Sequence, residues 1–289
     1  MDSFFEILKS ILQGIELGIT EWLPISSTGH IILLNEFLPF AISPDPERNK
    51  AFFEVFKVLV QLGSIMAVLV LFFHKLNPFS RKKSPLERRG TFSLWGKVLI
   101  ASIPAGIVGI LLNDIIDEKL SLPAVIAGAL IIYGILFIWM ESRHKEPRIH
   151  NFKELDYKTV LLIGVFQMLA LIPGTSRSGS TILGAVLLGT SRYVAAEFSF
   201  FMAIPVMVGA SGVKLLGFLK DGMSFTGLEW AVLLTGMVVA FLVSLVVIRF
   251  LMNFIKKHDF KSFGYYRIAL GILVIVLLLA GVMQNTPTG

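Results

Sequence analysis

Six apolar runs, each about as long as a hydrocarbon layer is thick, dominate this 289-residue sequence. They cover approximately 52–73, 94–112, 122–140, 194–217, 228–251 and 266–283. An α-helix needs roughly 20 apolar residues to cross a hydrocarbon core of about 30 Å. Only 16% of the residues are charged, where a soluble domain carries about 25%. The chain is therefore expected to be an all-α polytopic membrane protein. The net charge of +6 does not point to nucleic acid, because the basic residues cluster in short loops between apolar runs, as membrane topology requires. With no cysteine in the chain, disulfides and thiolate chemistry are excluded. The acidic Asp2 and Glu6 argue against a cleavable signal peptide.

Two further apolar regions are interrupted. Residues 4–40 break at Leu23-Pro24-Ile25-Ser26-Ser27-Thr28-Gly29, and residues 159–190 break at Ile172-Pro173-Gly174-Thr175-Ser176-Arg177-Ser178-Gly179-Ser180. Proline removes a backbone donor and clashes with the preceding turn. Each region is expected to form a re-entrant hairpin of two short helices, since irregular backbone at that depth survives only inside protein or beside a wet cavity. The order is then a hairpin and three spans within 1–140, a charged linker near 141–158, and a hairpin and three spans within 159–289, all in a single membrane domain. Three spans is an odd number, so the second half starts on the opposite side of the membrane and the chain reads as an inverted-topology repeat. The hairpins also resemble each other, with Leu23-Pro24-Ile25-Ser26-Ser27 set against Ile172-Pro173-Gly174-Thr175-Ser176.

Loop charges orient this topology. The segments 75–89, 143–158, Arg192 and 256–267 (the last ending in Arg267) hold sixteen lysines and arginines, whereas the opposite loops hold Arg48, Lys50, Lys119 and Lys220. The positive-inside rule places the sixteen in the cytoplasm and both termini outside.

Asp2, Glu6, Lys9, Gln13, Glu16 and Thr20 recur every three or four residues and draw a polar stripe down one helix face. For Asp2, Glu6 and Lys9 an interfacial amphipathic helix is expected. Glu16 and Glu21 lie deeper, beside the break, where an ionisable group costs about 2.5–3.5 kcal/mol to insert and usually serves function. After the break, Ser26, Ser27 and Thr28 open a new helix, whose free N–H groups form an anion site. One hydroxyl is explained as a cap. Three in a row, with His30 and Glu21 close by, have the makings of a nucleophile, a base and a binding site. The second break adds Arg177 among Thr175, Ser176 and Ser178, where its planar fork suits bidentate phosphate binding. Together the tips would surround one midplane cavity. Glu54, Lys57 and Gln61 share a helix face and are expected to line the interior or pair with one another. His74, His144, His150 and His258 sit in basic loops without ligand spacing, so they read as solvated and without a metal role.

At both breaks the sequence resembles the undecaprenyl-diphosphate phosphatase (bacitracin-resistance) family. The resemblance rests on Thr20-Glu21-Trp22-Leu23-Pro24-Ile25-Ser26-Ser27-Thr28-Gly29-His30, on Pro173-Gly174-Thr175-Ser176-Arg177-Ser178-Gly179 and on Gln61-Leu62-Gly63, and it extends over essentially the whole chain. It implies an inverted-repeat fold in the bacterial inner membrane, with the site opening outward. The implied activity is hydrolysis of the polyprenyl diphosphate to its monophosphate and phosphate, which recycles the carrier lipid of cell-wall synthesis. A divalent cation, Mg²⁺ or Ca²⁺, is implied as well. By this resemblance Glu21 activates the nucleophile or holds metal, Ser27 is the nucleophile, His30 the acid/base, and Arg177 with Ser176 binds phosphate; Ser26, Thr28, Thr175 and Ser178 would add donors. Attack by Ser27 and direct attack by water both fit these residues. Polyprenyl diphosphate and membrane lipids are the expected partners, and a homodimer is left open.

One departure stands out. The family's acidic motif carries Glu or Gln four residues before Glu21, a position held here by Leu17, while Glu16 sits one residue off. On a regular helix Glu16 and Glu21 lie about 140° apart. Either a bulge near Gly18 rephases Glu16 or its role is lost, which leaves it a lesser metal candidate. A rival reading is a transporter or flippase of polyprenyl-phosphate lipid, since broken helices meeting at the midplane also build transporters.

Overall fold

The computed structural model describes residues 3–143 and 145–283. Among them the regular structure is helical: α1 (Ser3–Thr20), α2 (Ser27–Phe37), α3 (Pro46–Leu71), α4 (Phe73–Leu76), α5 (Pro85–Ile115), α6 (Pro123–Ser142), α7 (Tyr157–Met168), α8 (Arg177–Leu187), α9 (Arg192–Lys220), α10 (Gly227–Phe254) and α11 (Lys261–Leu279). Six of these (α3, α5, α6, α9, α10 and α11) are long and apolar enough to cross a membrane. The chain is thus a multi-pass helical membrane protein, and its outward residues agree: Phe4, Val70, Leu111, Val246 and Leu279 are all exposed, a surface that water would not tolerate over such an area.

Two spans begin earlier than hydropathy alone suggests, because their first turns are polar. The Asp45 side chain accepts the Glu47 N–H at 3.0 Å and Pro46 sits at the first position of α3, a sound start that lies in a charged stretch. α5 likewise starts at Pro85, ahead of Glu87, Arg88 and Arg89. Outside the spans, Asp156 caps α7 by accepting the Thr159 N–H at 2.7 Å, and that bond holds its carboxyl below the usual range.

Close helix contacts are made by small residues. A Cβ on Gly14 or Gly18 of α1 would come within 2.8 Å of Gly236 O or 2.7 Å of Val243 Cβ on α10. On α7, one at Gly164 would lie 2.4 Å from Ala101 O of α5. Gly134 of α6 and Gly264 of α11 face each other in the same way: a Cβ on either would stand 2.7 Å from the other's carbonyl oxygen. In hydrocarbon, where apolar burial no longer drives association, such backbone approach supplies the packing energy.

Each interrupted region is a helix, a break and a second helix. At the open end of the first, Lys9 Nζ donates to Pro39 O at 2.6 Å and Ala41 N–H donates to Glu6 at 3.0 Å. The second is closed by Arg148 and Ile149 N–H groups donating to Gly189 O at 2.8 and 3.0 Å. These bonds correct the reading of the polar stripe on α1. Glu6 is buried while Phe4, Phe5, Leu8, Leu12, Ile15 and Ile19 are exposed; the polar face turns inward, toward the 39–41 segment, and the apolar face turns outward. Asp2, read with that stripe, lies outside the described residues.

Candidate active site at the meeting of two helix breaks

The two breaks are built alike. Ser26 and Ser176 are the only non-glycine residues with positive φ among those described, at 77° and 72°. Each caps the helix that follows, accepting the N–H of a glycine three residues on: Gly29 at 3.3 Å and Gly179 at 3.1 Å. Left-handed backbone at a serine costs on the order of 1–3 kcal/mol and is typical of functional turns. This geometry corrects the register suggested by the two Pro-containing stretches. Ser26 corresponds to Ser176, not to Thr175, because Gly174 (φ 94°) adds a residue to the second break. Ser27 and Arg177 therefore open α2 and α8 at matching positions.

Hydrogen bonds between the breaks join Glu21 and Leu23 to Arg177 and Ser178. Ser178 Oγ lies 3.1 Å from Glu21 O and 3.3 Å from Leu23 O. Arg177 Nη2 reaches Glu21 Oε1 at 3.3 Å, and its Nη1 donates to Ser199 O of α9 at 2.8 Å. Arg177 Nε is buried without a partner. The other carboxylate oxygen, Glu21 Oε2, accepts the Ser27 hydroxyl at 2.9 Å. Glu21 thus stands between a cation and a hydroxyl, with one oxygen for each.

Beneath both breaks lies Arg267 of α11, fully buried. It donates to Pro24 O at 3.1 Å on one side, and to Gly174 O at 2.8 Å and Thr175 O at 3.0 Å on the other. Its guanidinium also faces the Tyr133 ring, 5.3 Å from the centroid. Its assignment to a cytoplasmic basic loop is corrected here: Arg267 belongs to the interior. The remaining fifteen basic residues keep the same bias over the other loops. The place of Arg267 six residues after Lys261, at the end of a basic stretch, concealed this; the one local hint was its place at the start of an apolar run.

His30 does not face Ser27 through a hydrogen bond. Its Nδ1 sits 2.7 Å from Ser26 O and its Nε2 sits 2.7 Å from Tyr266 Oη. A carbonyl only accepts, so Nδ1 carries the proton, and in the neutral ring Nε2 accepts from the tyrosine hydroxyl. Nothing local in the sequence marks Tyr266, which is remote from both motifs. Thr175 has its hydroxyl committed to Leu169 O and Ile172 O, at 2.9 and 2.8 Å, and Thr28 is exposed at the first turn of α2.

α1 is a regular α-helix through Thr20, so no bulge near Gly18 rephases Glu16, and that option is overturned. Gly18 is instead pressed against Val243 and Ala240. Glu16 Oε1 accepts the Thr20 hydroxyl at 2.8 Å, and its Oε2 is buried without a partner. Among the described residues no three His, Cys, Asp or Glu side chains converge as a metal-binding group. His74, His150 and His258 are exposed, and His144 lies outside the described residues.

Beside Ser27 is a cavity of about 130 Å³, lined by Leu17, Ser27, Thr28, Ile31, Lys57, Val58 and Gln61. Lys57 also pairs with Glu54, so the expected pairing and the expected interior lining both occur.

Residues 10–273 match the family model described as "Bacitracin resistance protein BacA". The chain is 58% identical over 273 residues to "Undecaprenyl-diphosphatase 1" of Clostridioides difficile (strain 630), covering 94% of this chain and 96% of that protein. It is 56% identical over 272 residues to "Undecaprenyl-diphosphatase" of Lactiplantibacillus plantarum, covering 93% and 97%. Against "Undecaprenyl-diphosphatase" of Acetivibrio thermocellus the identity is 55% over 277 residues, covering 95% and 98%.

Proposed function

The chain belongs to the bacitracin resistance protein BacA family, and from that premise we propose that it hydrolyses undecaprenyl diphosphate to undecaprenyl phosphate and inorganic phosphate, recycling the carrier lipid of cell-wall synthesis. The observation that carries the chemistry is the Ser27 hydroxyl donating to Glu21 at 2.9 Å while Arg177 holds the other oxygen of the same carboxylate. A transporter needs only a site for the headgroup; here a nucleophile already has its proton acceptor. The relatives are phosphatases by name, and the transporter reading gains no support from them.

In the proposed reaction Ser27 Oγ attacks the terminal phosphorus and passes its proton to Glu21 Oε2. The Oγ–P bond forms, the bridging P–O bond breaks, and the lipid monophosphate leaves with the electron pair. Water then cleaves the phosphoserine. As the substrate's phosphates approach, they draw Arg177 from Glu21, since a guanidinium fork pairs well with phosphate oxygens. Its freed charge stabilises the transferring phosphoryl group, the main catalytic term in such chemistry. His30, wedged between Ser26 O and Tyr266, holds the start of α2 and is a proton donor and acceptor one turn from Ser27.

A divalent cation suits this donor set only in company with substrate. Glu16 Oε2 is without a partner and Glu21 is already shared, a sparse set that fits a hard cation held by one or two carboxylates plus phosphate oxygens. Glu21 would be the main holder of Mg²⁺ or Ca²⁺ in that way, with Glu16, left off its face by the unbroken α1, the lesser candidate, and the ion would supply neutralisation of the diphosphate's charge.

We also read the fold as an inverted repeat with re-entrant hairpins, cytoplasmic basic loops, outer termini and a site opening outward. Supporting this are the matching capped breaks and the reciprocal packing of α1 on α10 and of α7 on α5. The test of the function is phosphate release from undecaprenyl diphosphate by the purified protein, with and without chelator. Release that Arg177→Ala abolishes is expected; translocation of lipid with no release would overturn the reading.

A further inference from the structure

We propose that the cavity between α2 and α3 seats the second phosphate of the substrate, the one bearing the prenyl chain, and that Lys57 is its counter-charge. This rests on the phosphatase reading above. Ser27 donates to Glu21, which also holds Arg177, and the same Ser27 lines the cavity that contains Lys57 and Gln61. A diphosphate attacked at its terminal phosphorus must place its second phosphate one bridging oxygen away from that phosphorus. Arg177 serves the attacked group, and the neighbouring phosphate calls for a fixed protein cation beside whatever charge a bound metal ion would offset. The cavity has one, together with an amide and a second hydroxyl: Lys57 and Gln61 are one turn apart on α3 and face Thr28 of α2. The remaining lining, Leu17, Ile31 and Val58, is apolar and suits the first carbons of a prenyl chain.

Leu17 has a new meaning in this setting. Where the family motif carries a carboxylate or amide, the side chain here is apolar and faces the cavity, so no negative charge from that position opposes a phosphate there. Lys57 is held by Glu54, whose other oxygen lies 3.4 Å from Lys214 Nζ. That carboxylate therefore competes with substrate for the Lys57 ammonium. When the bridging P–O bond breaks, its electron pair stays with the lipid-borne phosphate, which gains one negative charge. An ammonium beside it stabilises that charge as it develops, so Lys57 contributes to turnover as well as to binding.

The test is phosphate release from undecaprenyl diphosphate in detergent by Lys57→Met, Lys57→Arg and Glu54→Gln, each checked for an unchanged melting temperature. The expected result is a tenfold or greater loss of kcat/KM in Lys57→Met, activity within threefold of the parent in Lys57→Arg, and a KM equal to or below the parent's in Glu54→Gln. A purely structural ion pair would instead make Glu54→Gln as damaging as Lys57→Met, and that outcome overturns the proposal. So does a Lys57→Met variant within twofold of the parent, or a Lys57→Arg variant as poor as Lys57→Met. Should Lys57→Met not fold, Val58→Phe fills the same cavity, and an unchanged KM there overturns the proposal equally. Absence of phosphate release from the parent protein would refute the phosphatase reading itself and is distinguishable from all of these.

Discussion

Arg177 and Glu21 are 156 residues apart in sequence and 3.3 Å apart in space. The carboxylate that holds the arginine also accepts the Ser27 hydroxyl at 2.9 Å. One group on one broken helix thus positions both the Ser27 hydroxyl beside it and the cation on the opposite break.

Glu21→Gln keeps the shape of that link while removing the proton acceptor and the charge. Loss of a positioned base costs about 10²- to 10⁴-fold in rate. Phosphate release by Glu21→Gln is therefore expected to fall at least a hundredfold, with the protein still folded; a rate within tenfold of the parent would remove Glu21 from the base role.

Ser27→Ala separates attack by serine from direct attack by water. With serine as nucleophile, turnover in a detergent assay drops to background, and the parent quenched in mid-reaction carries phosphate on Ser27, seen by mass spectrometry. Activity in Ser27→Ala close to the parent's would sink the nucleophile assignment.

Arg267→Met takes the donor from three backbone carbonyls, those of Pro24, Gly174 and Thr175. Each buried acceptor left without a partner costs roughly 1–3 kcal/mol. The expected outcome is a melting temperature lowered by several degrees together with loss of phosphate release, because the two breaks no longer share a brace. Arg267→Lys should recover only part of both, since an ammonium lacks the fork that spans the two segments.

Tyr266→Phe removes the hydroxyl at His30 Nε2 while keeping the ring. A hydrogen bond of this kind contributes on the order of 0.5–1.5 kcal/mol, so kcat is expected to fall about threefold to tenfold with little change in melting temperature. The pH–rate profile should shift as well, because the imidazole loses its neighbour; an unaltered profile would show that Tyr266 does not act on a titrating His30.

Gly63 tests the helix packing apart from the site. A Cβ there would stand 2.2 Å from Met237 O on α10, a backbone atom that cannot swing aside. Gly63→Val is expected to lower thermal stability in detergent by the equivalent of about 1–3 kcal/mol or more, as overpacking does.

Much of this was legible in the sequence because the bilayer acts on composition directly. Runs of apolar residues identify the six spans, and a proline followed by hydroxyls marks each break. Glu21, Ser27 and Arg177 were recognisable as costly or reactive groups placed where lipid would exclude them. The span starts at Pro46 and Pro85 were not, because their capping turns are polar and add nothing to hydropathy. The inward polar face of α1 was equally hidden, since a stripe of alternating character does not say which side meets protein.

By itself, the sequence determined a multi-pass helical membrane protein with two interrupted segments, one carrying an acid and hydroxyls and the other an arginine. The physical reason is that hydrophobicity, length and chain-breaking residues are local properties. Only the tertiary structure decided the partnerships: which oxygen of Glu21 faces Ser27 and which faces Arg177, that His30 leans on Tyr266, and that Arg267 braces both breaks from the interior. It also decided that Glu16 stays on its regular helix face, beside Thr20. These are contacts between groups distant along the chain, set by how glycine-lined helices dock and by where two strained serine caps direct their helices, and no local pattern encodes them.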